Sequence, residues 1–268
     1  MLCYILYMNN VSPLRYPGGK TRARKTLGEI VKNHFDMTEI HDIVSPFFGG
    51  GSFEFHLQST YALPIIANDK FLPLHTFWDT CKNNQDNLCI GLREETDITS
   101  EQFKHYRDTI MSEQNKLVQA IQFFVINRCS FSGATLSGGF SYEASKNRFT
   151  ESSIDRVQNL DLTHFVIQNL DFEGFIREHA KEDSLLFLDP PYYLGSKSHL
   201  YGKNGDMHEE FDHDRLFQTL TTQHSWLMTY NDCEYIRDLY KQFTIIEVDW
   251  SYGMNTTKKS SEVVILSV

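Results

Sequence analysis

Short apolar runs alternate with helical patterns along most of this 268-residue chain, and this alternation limits the fold more than any other feature. The runs predict strands at 41–47, 63–69, 164–172, 184–191, 225–232, 243–250 and 262–268. Strands that are buried on both faces and separated by helices are typical of a parallel sheet covered on each side. We therefore expect an α/β fold with a mostly parallel sheet. The last two strands lack room for a helix between them, so they are expected to pair antiparallel.

The segment at 76–159 follows a different pattern. Helical periodicity covers 99–127, with a cap at Thr99 or Ser100, and the stretch at 128–149 is rich in glycine, serine and aromatic residues. We predict a mainly helical insertion between the second and third strands. The expected division is one domain formed by 12–75 and 160–268, and a second domain formed by 76–159.

Composition excludes several classes of protein. The formal net charge of −10 opposes nucleic-acid binding by the chain as a whole, so such a surface needs local basic patches. The cysteines are odd in number and lack a CxxC pair, which indicates reduced thiols without a zinc site or disulfide framework; they are Cys3, Cys81, Cys89, Cys129 and Cys233. The apolar start, MLCYILYMNN, is too short for a signal peptide or a membrane span. We expect a cytoplasmic protein that is not secreted and that starts at Met1 or Met8.

A glycine-rich turn, SPFFGGGSFEF at 45–55, follows the first predicted strand. Glycines there let the backbone approach a ligand and leave amides free at the start of a helix, although a simple turn explains them equally well. About twenty residues further on, Asp69 ends the second strand, where an acid typically binds ribose hydroxyls. Together these features indicate an adenosine-containing ligand. The GKT at 19–21 lacks the earlier glycine and the strand of a phosphate loop, which disfavours a nucleoside-triphosphate enzyme.

Two stretches are basic within this acidic chain. Residues 12–32 carry six basic side chains against one acid, and residues 116–150 carry four against one. Aromatic residues are interleaved with the second set, namely Phe131, Phe140, Tyr142 and Phe149. Such stretches suit phosphate pairing and base stacking, and an ordinary surface loop with its aromatics tucked inward explains them as well.

The apolar run SLLFL at 184–188 stops at Asp189 and continues as PPYY. Strand termination explains the prolines, but it does not explain an acid at the carboxyl end of the strand, where open α/β sheets bind ligands. The exocyclic amine of a nucleobase is a poor nucleophile because its lone pair is delocalised into the ring. Asp189 and the Pro190 carbonyl can accept its two N–H groups, and Tyr192 can stack on a base that has left the helix. These three residues form the predicted catalytic set.

In their order along the chain, these motifs resemble the Dam-type, or D12 class, adenine-N6 DNA methyltransferases. The matching segments are LRYPGGK at 14–20, SPFFGGGSF at 45–53, the insertion as target-recognition segment, and LDPPYY at 188–193. Shorter matches are ANDK at 67–70, INR at 126–128, NLDF at 169–172 and FDHDRL at 211–216. The resemblance covers nearly the whole chain from Ser12 onward and implies a Rossmann-like methyltransferase sheet.

The resemblance implies S-adenosyl-L-methionine as the methyl donor, with S-adenosyl-L-homocysteine as the product and no metal. The cofactor-binding residues that it implies are Tyr16, Lys20, Phe47, Gly49, Asp69, Asp171, Phe172 and Asp189. Tyr16 and Lys20 resemble the contacts to the methionine part, and Asp69 resembles the contact to the ribose. Arg15 matches a family position that reaches target DNA, and the expected DNA-binding set is completed by Asn127, Arg128, Lys146 and Arg148.

One position departs from the family pattern. The glycine motif usually begins with an acid that receives the methionine amino group, directly or through water, and this chain has Ser45 there. A serine accepts a hydrogen bond but adds no charge, so we expect weaker cofactor binding and a gain in affinity for Ser45→Asp. The recognition segment also departs from the Dam pattern beyond INR, so a GATC target is not carried over.

The expected function is site-specific transfer of a methyl group from S-adenosyl-L-methionine to the N6 amine of adenine in duplex DNA. The alternatives are methylation of cytosine N4 or of adenine in RNA, and a non-catalytic DNA-binding protein of the same fold. The acid of the DPPY motif favours adenine, and the insertion favours DNA. The recognised site, a restriction partner and the choice between monomer and dimer are left open.

Overall fold

The computed structural model describes residues 10–16, 18–133, 135–193, 211–249 and 261–267. The strands within them are β1 Asp42–Ser45, β2 Ile65–Asn68, β3 Phe165–Gln168, β4 Ser184–Leu188, β5 Trp226–Asn231, β6 Thr244–Asp249 and β7 Ser261–Leu266. They form one seven-stranded sheet in the order β3-β2-β1-β4-β5-β7-β6. Seven strands were predicted, and all seven are found close to the predicted positions.

The direction of the strands agrees with the prediction. The pairings among β1 to β5 are parallel, and β7 pairs antiparallel with both β5 and β6. The order of the sheet reverses between β1 and β4, because successive strands are added on opposite sides of this pair. In doubly wound α/β sheets, ligands bind in the crevice at the carboxyl ends of the strands beside such a reversal. The α/β fold with a mostly parallel, Rossmann-like sheet is confirmed.

Helices cover both faces of the sheet. Within the described residues they are α1 Arg24–His34, α2 Ser52–Tyr61, α3 Leu72–Asn83, α4 Gln85–Glu94, α5 Ser100–Thr109, α6 Lys116–Cys129, α7 Tyr142–Asn147, α8 Glu151–Gln158, α9 Phe172–His179, α10 His213–Leu220 and α11 Glu234–Leu239. Strand β4 shows why both faces are needed. Leu185 and Phe187 pack in one apolar cluster, whereas Leu186 and Leu188 pack in the other. Since successive strand residues point to opposite faces, an unbroken apolar run requires cover on both.

Helices α3 to α8 lie between β2 and β3, where the insertion was predicted. The Thr99 hydroxyl caps α5 by accepting a hydrogen bond from the Gln102 amide at 3.1 Å, as expected. The single periodic stretch at 99–127 is two helices, since the Asn115 side chain accepts hydrogen bonds from the first amides of α6 and starts a new helix there. Apolar residues of α3 and α6 belong to the same core cluster as residues of the sheet. The division into two domains stays a prediction.

Some expectations concern residues outside the described ranges. The start at Met1 or Met8 and the state of Cys3 lie there. The other four cysteines are free thiols, as the spacing predicted. Among the helices that the structure describes, none combines the length and the apolar character needed to cross a membrane.

Candidate active site

Polar side chains gather at the carboxyl edge of the parallel strands. Ser45 ends β1, and Asp69 and Asp189 directly follow β2 and β4. Strand β7 runs the opposite way, so its first residues reach the same edge, where Glu262 pairs with Asn231 at the end of β5. The parallel register thus brings together residues that are far apart in sequence.

Asp189 is anchored through one of its two carboxylate oxygens. Its Oδ1 accepts a hydrogen bond from Thr229 Oγ1 at 2.6 Å and lies 2.8 Å from Lys20 Nζ. Thr229 reaches it because β4 and β5 are in register, with Leu188 opposite Met228. Lys20 is 2% exposed, whereas Asp189 is 23% exposed. Within the described ranges nothing donates to Oδ2, so this oxygen is available to a ligand.

The Tyr192 ring is held at its hydroxyl and stacked against the sheet. Lys20 Nζ donates to the Tyr192 hydroxyl oxygen at 3.0 Å, and this hydroxyl donates to Glu262 Oε2 at 2.8 Å. The ring stacks on Tyr230 with centroids 5.7 Å apart. Lys20 therefore joins the acid and the tyrosine of the DPPY motif in one hydrogen-bonded network.

Of the residues beside Asp189 and Tyr192, Pro190 lies in the site and Tyr193 packs within the fold. Pro190 is buried, and no described group donates to its carbonyl oxygen. Tyr193 stacks on Tyr235 with centroids 4.3 Å apart, and its carbonyl oxygen accepts a hydrogen bond from Asn231 Nδ2 at 2.7 Å. Tyr193, which is not part of the predicted catalytic set, is thus a packing residue.

Asp69 holds the glycine turn in place. Its Oδ2 accepts a hydrogen bond from the Gly49 amide at 3.0 Å, and its Oδ1 accepts one from the Phe71 amide at 2.9 Å. Desolvation raises the pKa of Asp69 to about 6, and the two backbone hydrogen bonds oppose this shift. Gly49 has a φ of 51°, and a Cβ there would lie 3.0 Å from the Tyr16 ring. The turn needs glycine at this position for its backbone conformation and for its contact with Tyr16.

An aromatic cluster lies where α9 begins. The Phe47 ring contacts Phe172 and Phe211, with centroids 5.7 and 5.6 Å away. The Arg215 guanidinium lies 4.3 Å from the Phe172 ring centroid and donates a hydrogen bond to Asp171 Oδ2 at 2.9 Å. The pKa of Asp171 is lowered: burial would raise it, but hydrogen bonds from Arg215 and the Glu173 amide, together with the charges of Arg215 and Lys70, outweigh that effect. The cluster offers flat apolar faces next to a charged carboxylate.

Ser45 is bonded to an acid that the sequence analysis did not identify. Its Oγ donates a hydrogen bond at 2.6 Å to Glu54 Oε1, from the first turn of α2. Both side chains are buried. Burial raises the pKa of Glu54 to about 8, and Asp189 acts in the same direction, whereas the Ser45 hydrogen bond and Lys20 lower it. A carboxyl group is therefore present beside the position where the family pattern has its acid.

Four of the five predicted DNA-binding residues are hydrogen-bonded in two pairs, Arg15 with Asn127 and Arg128 with Arg148. The Asn127 side chain accepts a hydrogen bond from the Arg15 amide at 2.9 Å and donates one to the Arg15 carbonyl at 2.7 Å. Arg128 is buried, and its guanidinium donates to the carbonyl oxygens of Arg148 and Pro13. Burial and neighbouring arginines lower the pKa of Arg128 to about 10. Asn127 and Arg128 hold this cluster together, while Arg15 is exposed and Arg148 half-buried.

Lys146 does not join this cluster in the described contacts. Its Nζ lies 2.5 Å from Asp97 Oδ1 at the surface. Of the interleaved aromatics, Phe131 and Tyr142 are each 70% exposed, whereas Phe140 and Phe149 pack against the core. Two of the four aromatic rings are thus accessible to a partner, and two have a structural role.

The sequence analysis missed Glu54, Thr229 and Glu262. Each of them is a polar residue within or directly beside an apolar run, and each comes to the carboxyl edge of the sheet. That combination is the signal that could have identified them, because a buried polar group needs a partner.

Comparison with known proteins agrees with this geometry. Residues 16–254 match the model of the D12 class N6 adenine-specific DNA methyltransferase family. A search of curated proteins returned no match. The family match includes the glycine turn, the helical insertion, the DPPY motif and strand β6, so it spans most of the site and most of the sheet. The chain therefore belongs to the D12 class N6 adenine-specific DNA methyltransferases.

Proposed function

We propose that this protein transfers a methyl group from S-adenosyl-L-methionine to the N6 amine of adenine at a specific site in duplex DNA. Family membership supports methylation of adenine in DNA. The identity of the methyl donor, the duplex form of the substrate and the site specificity are the parts that we propose. The observation that carries the proposal is the asymmetric anchoring of Asp189. Its Oδ1 is bound by Thr229 and Lys20, whereas its Oδ2 has no partner among the described residues.

Asp189 and Pro190 supply the two acceptors that an exocyclic amine requires. Asp189 Oδ2 accepts one N–H group, and the Pro190 carbonyl oxygen accepts the other. Two acceptors on consecutive residues favour a tetrahedral nitrogen, which takes the lone pair out of conjugation with the ring and leaves it free for attack. The methylated nitrogen then loses one of its N–H protons to solvent. Since Thr229 and Lys20 already hold the carboxylate, it is preorganised for the amine, which is the condition for strong electrostatic catalysis.

Tyr192 supplies a surface on which the extruded base can stack. Its hydroxyl is bonded to Lys20 and Glu262, so the ring is oriented before a base arrives. Extrusion of a base from the duplex costs a few kcal/mol. Stacking on an aromatic side chain is worth about 1–3 kcal/mol per base and offsets part of that cost.

The side chains at the sheet edge fit S-adenosyl-L-methionine chemically. Asp69 offers a carboxylate for the ribose hydroxyls, and Phe47 and Phe172 offer flat faces for the adenine ring, with Asp171 beside them. Tyr16 and Lys20 would bind the methionine part, against the backbone of Gly49. When bound, S-adenosyl-L-methionine supplies a methyl group on a positively charged sulfur. Aromatic faces such as Phe47 and Tyr16 stabilise a charge of that kind.

The arginine cluster is the proposed DNA-binding surface. Arg15 and Arg148 are the members whose side chains have some exposure, so we assign them the phosphate contacts. Asn127 and Arg128 support them from buried positions. Lys146 contributes less to DNA binding, because it forms an ion pair with Asp97. The exposed rings of Phe131 and Tyr142 are available for contact with bases.

Methylation-sensitive digestion separates this proposal from a non-catalytic DNA-binding protein. DNA incubated with the protein and S-adenosyl-L-methionine should become protected from a nuclease blocked by N6-methyladenine, and omission of the cofactor should abolish protection. Nucleoside analysis of the product then separates N6-methyladenine from N4-methylcytosine. A parallel incubation with RNA of the same sequence tests the RNA alternative.

A further inference from the structure

We propose that Ser45 and Glu54 together receive the methionine amino group of S-adenosyl-L-methionine, in place of the single acid that the family pattern has at position 45. The inference rests on the proposed cofactor and adds two residues to its site. It starts from the hydrogen bond of 2.6 Å between Ser45 Oγ and Glu54 Oε1.

The glycine turn brings Glu54 to the end of β1. Gly51 has a φ of 65°, and a Cβ there would lie 2.4 Å from the Phe48 ring, so only glycine lets α2 start directly after the turn. Glu54 lies in the first turn of α2 and points back to Ser45, the last residue of β1. An acidic residue in the first turn of a helix is also favoured by the helix dipole.

Ser45 and Glu54 offer the same chemistry as an acid on β1. The Ser45 hydroxyl donates its proton to Glu54, so its lone pairs stay available to accept an N–H group from an ammonium. Once the bound ammonium has displaced the proton of Glu54, the carboxylate behind Ser45 supplies the negative charge that makes such a hydrogen bond stronger than a neutral one. Glu54 therefore acts through Ser45, and the Ser45 hydroxyl is the atom that contacts the ligand.

Binding of an ammonium group to this pair should release a proton. The groups that act on the Glu54 carboxyl are Asp189, which raises its pKa, and Ser45 and Lys20, which lower it. Because burial brings this pKa to about 8, the carboxyl holds a proton at neutral pH. A positive charge placed beside it favours the carboxylate, so the proton passes to solvent as the ligand binds.

This arrangement reverses the expectation for Ser45→Asp. A second carboxyl group at position 45 would lie next to Glu54 in a buried site. Two buried carboxyl groups at such a short distance share one proton, because both cannot be ionised together. We therefore expect no gain in cofactor affinity from this substitution.

Isothermal titration calorimetry with two ligands tests the inference. S-adenosyl-L-homocysteine carries the amino group, whereas 5′-methylthioadenosine lacks the whole amino-acid part. For Glu54→Gln and for Ser45→Ala we expect the Kd of S-adenosyl-L-homocysteine to rise by about tenfold to a hundredfold. The Kd of 5′-methylthioadenosine should stay within about twofold of the wild-type value. Titrations at pH 7 in buffers of different ionisation enthalpy should show proton release for the wild type and none for Glu54→Gln.

Glu262→Gln is the matched control, because it removes another buried acid at the same edge, one that is bonded to Tyr192 instead of Ser45. It should keep the proton release. Equal weakening of both ligands by Glu54→Gln, or unchanged binding of S-adenosyl-L-homocysteine, would overturn the inference. If Glu54→Gln fails to fold, Ser45→Ala decides alone, since it keeps the acid. A wild-type protein that binds neither ligand would overturn the proposed function itself, which is a separate outcome.

Discussion

Lys20 Nζ lies 2.8 Å from Asp189 Oδ1, and the same ammonium group bonds to the Tyr192 hydroxyl. Lys20 comes from the segment before α1, far from β4 in sequence. Its buried ammonium is thus shared by the carboxylate of Asp189 and the hydroxyl of Tyr192, the two residues proposed to bind the amine and to stack on the base. The resemblance assigned Lys20 to the cofactor alone, and the structure shows that it also bonds to Asp189 and to Tyr192.

Thr229→Val should impair catalysis without impairing cofactor binding. It removes one of the two donors to Asp189 Oδ1 and keeps the shape of the side chain. Since a hydrogen bond to a charged group is worth about 1.5–3 kcal/mol, we expect kcat to fall by about tenfold to a hundredfold. Steady-state kinetics and the Kd of S-adenosyl-L-homocysteine check this.

Thr80→Val is the control for that experiment. Thr80 is also buried, but its hydroxyl bonds to the Thr76 carbonyl within α3, away from the site. It should leave kcat within about twofold of the wild type. Similar losses of kcat in both variants would show that the effect of Thr229→Val is a general one on the fold.

Tyr192→Phe and Tyr192→Ala should differ. The first keeps the ring and removes its bonds to Lys20 and Glu262, whereas the second removes the stacking surface. Loss of stacking, at about 1–3 kcal/mol, should weaken extrusion of the base by about fivefold to a hundredfold in Tyr192→Ala. Fluorescence of 2-aminopurine at the target position measures extrusion. Equal effects of the two variants would argue against a stacking role.

The fold was predictable because β4 and its neighbours are apolar enough to need cover on both faces. Leu185 to Leu188 read as an unbroken run, and the structure buries these residues alternately in two clusters. The break between α5 and α6 was not predictable from periodicity. It depends on the Asn115 side chain, which starts a new helix within an otherwise continuous apolar pattern.

The site was predictable only in part, for a related reason. Asp189 and Asp69 stand out because each is an acid directly after an apolar strand. Thr229 and Glu262 show only a weak local signal, a polar residue in or beside an apolar strand, and their positions in the site follow from the register of β5 against β4 and β7. Pairing between distant segments is a property of the sheet, and no local pattern reports it.

Arg15→Ala should reduce the salt dependence of DNA binding. Arg15 is exposed, and none of the described acids pairs with it. Each phosphate contact contributes about −0.9 to the slope of log K against log salt concentration. The slope should therefore become less steep by about one in the variant. Arg177→Ala is the control, because Arg177 pairs with Glu173 on the surface of α9, and it should leave the slope unchanged.

Glu54→Gln should change how stability depends on pH. The pKa of Glu54 is raised from 4.5 to about 8 in the folded protein, so the unfolded chain loses this proton first. The contribution of Glu54 to stability is present below pH 4.5 and is lost as pH rises towards 8. The stability of the wild type relative to the variant should therefore fall by up to about 1.4 kcal/mol per pH unit in this window. Denaturant unfolding at several pH values measures it, and a constant difference would contradict the raised pKa.

The most direct test of the whole account is to map methylated bases after incubating duplex DNA with labelled S-adenosyl-L-methionine and either wild-type protein or Asp189→Ala. The wild type should place N6-methyladenine within a defined short sequence. Asp189→Ala should place none, while it still binds S-adenosyl-L-homocysteine. Near-native turnover by Asp189→Ala, or methylation by the wild type of a base other than adenine, would contradict the account.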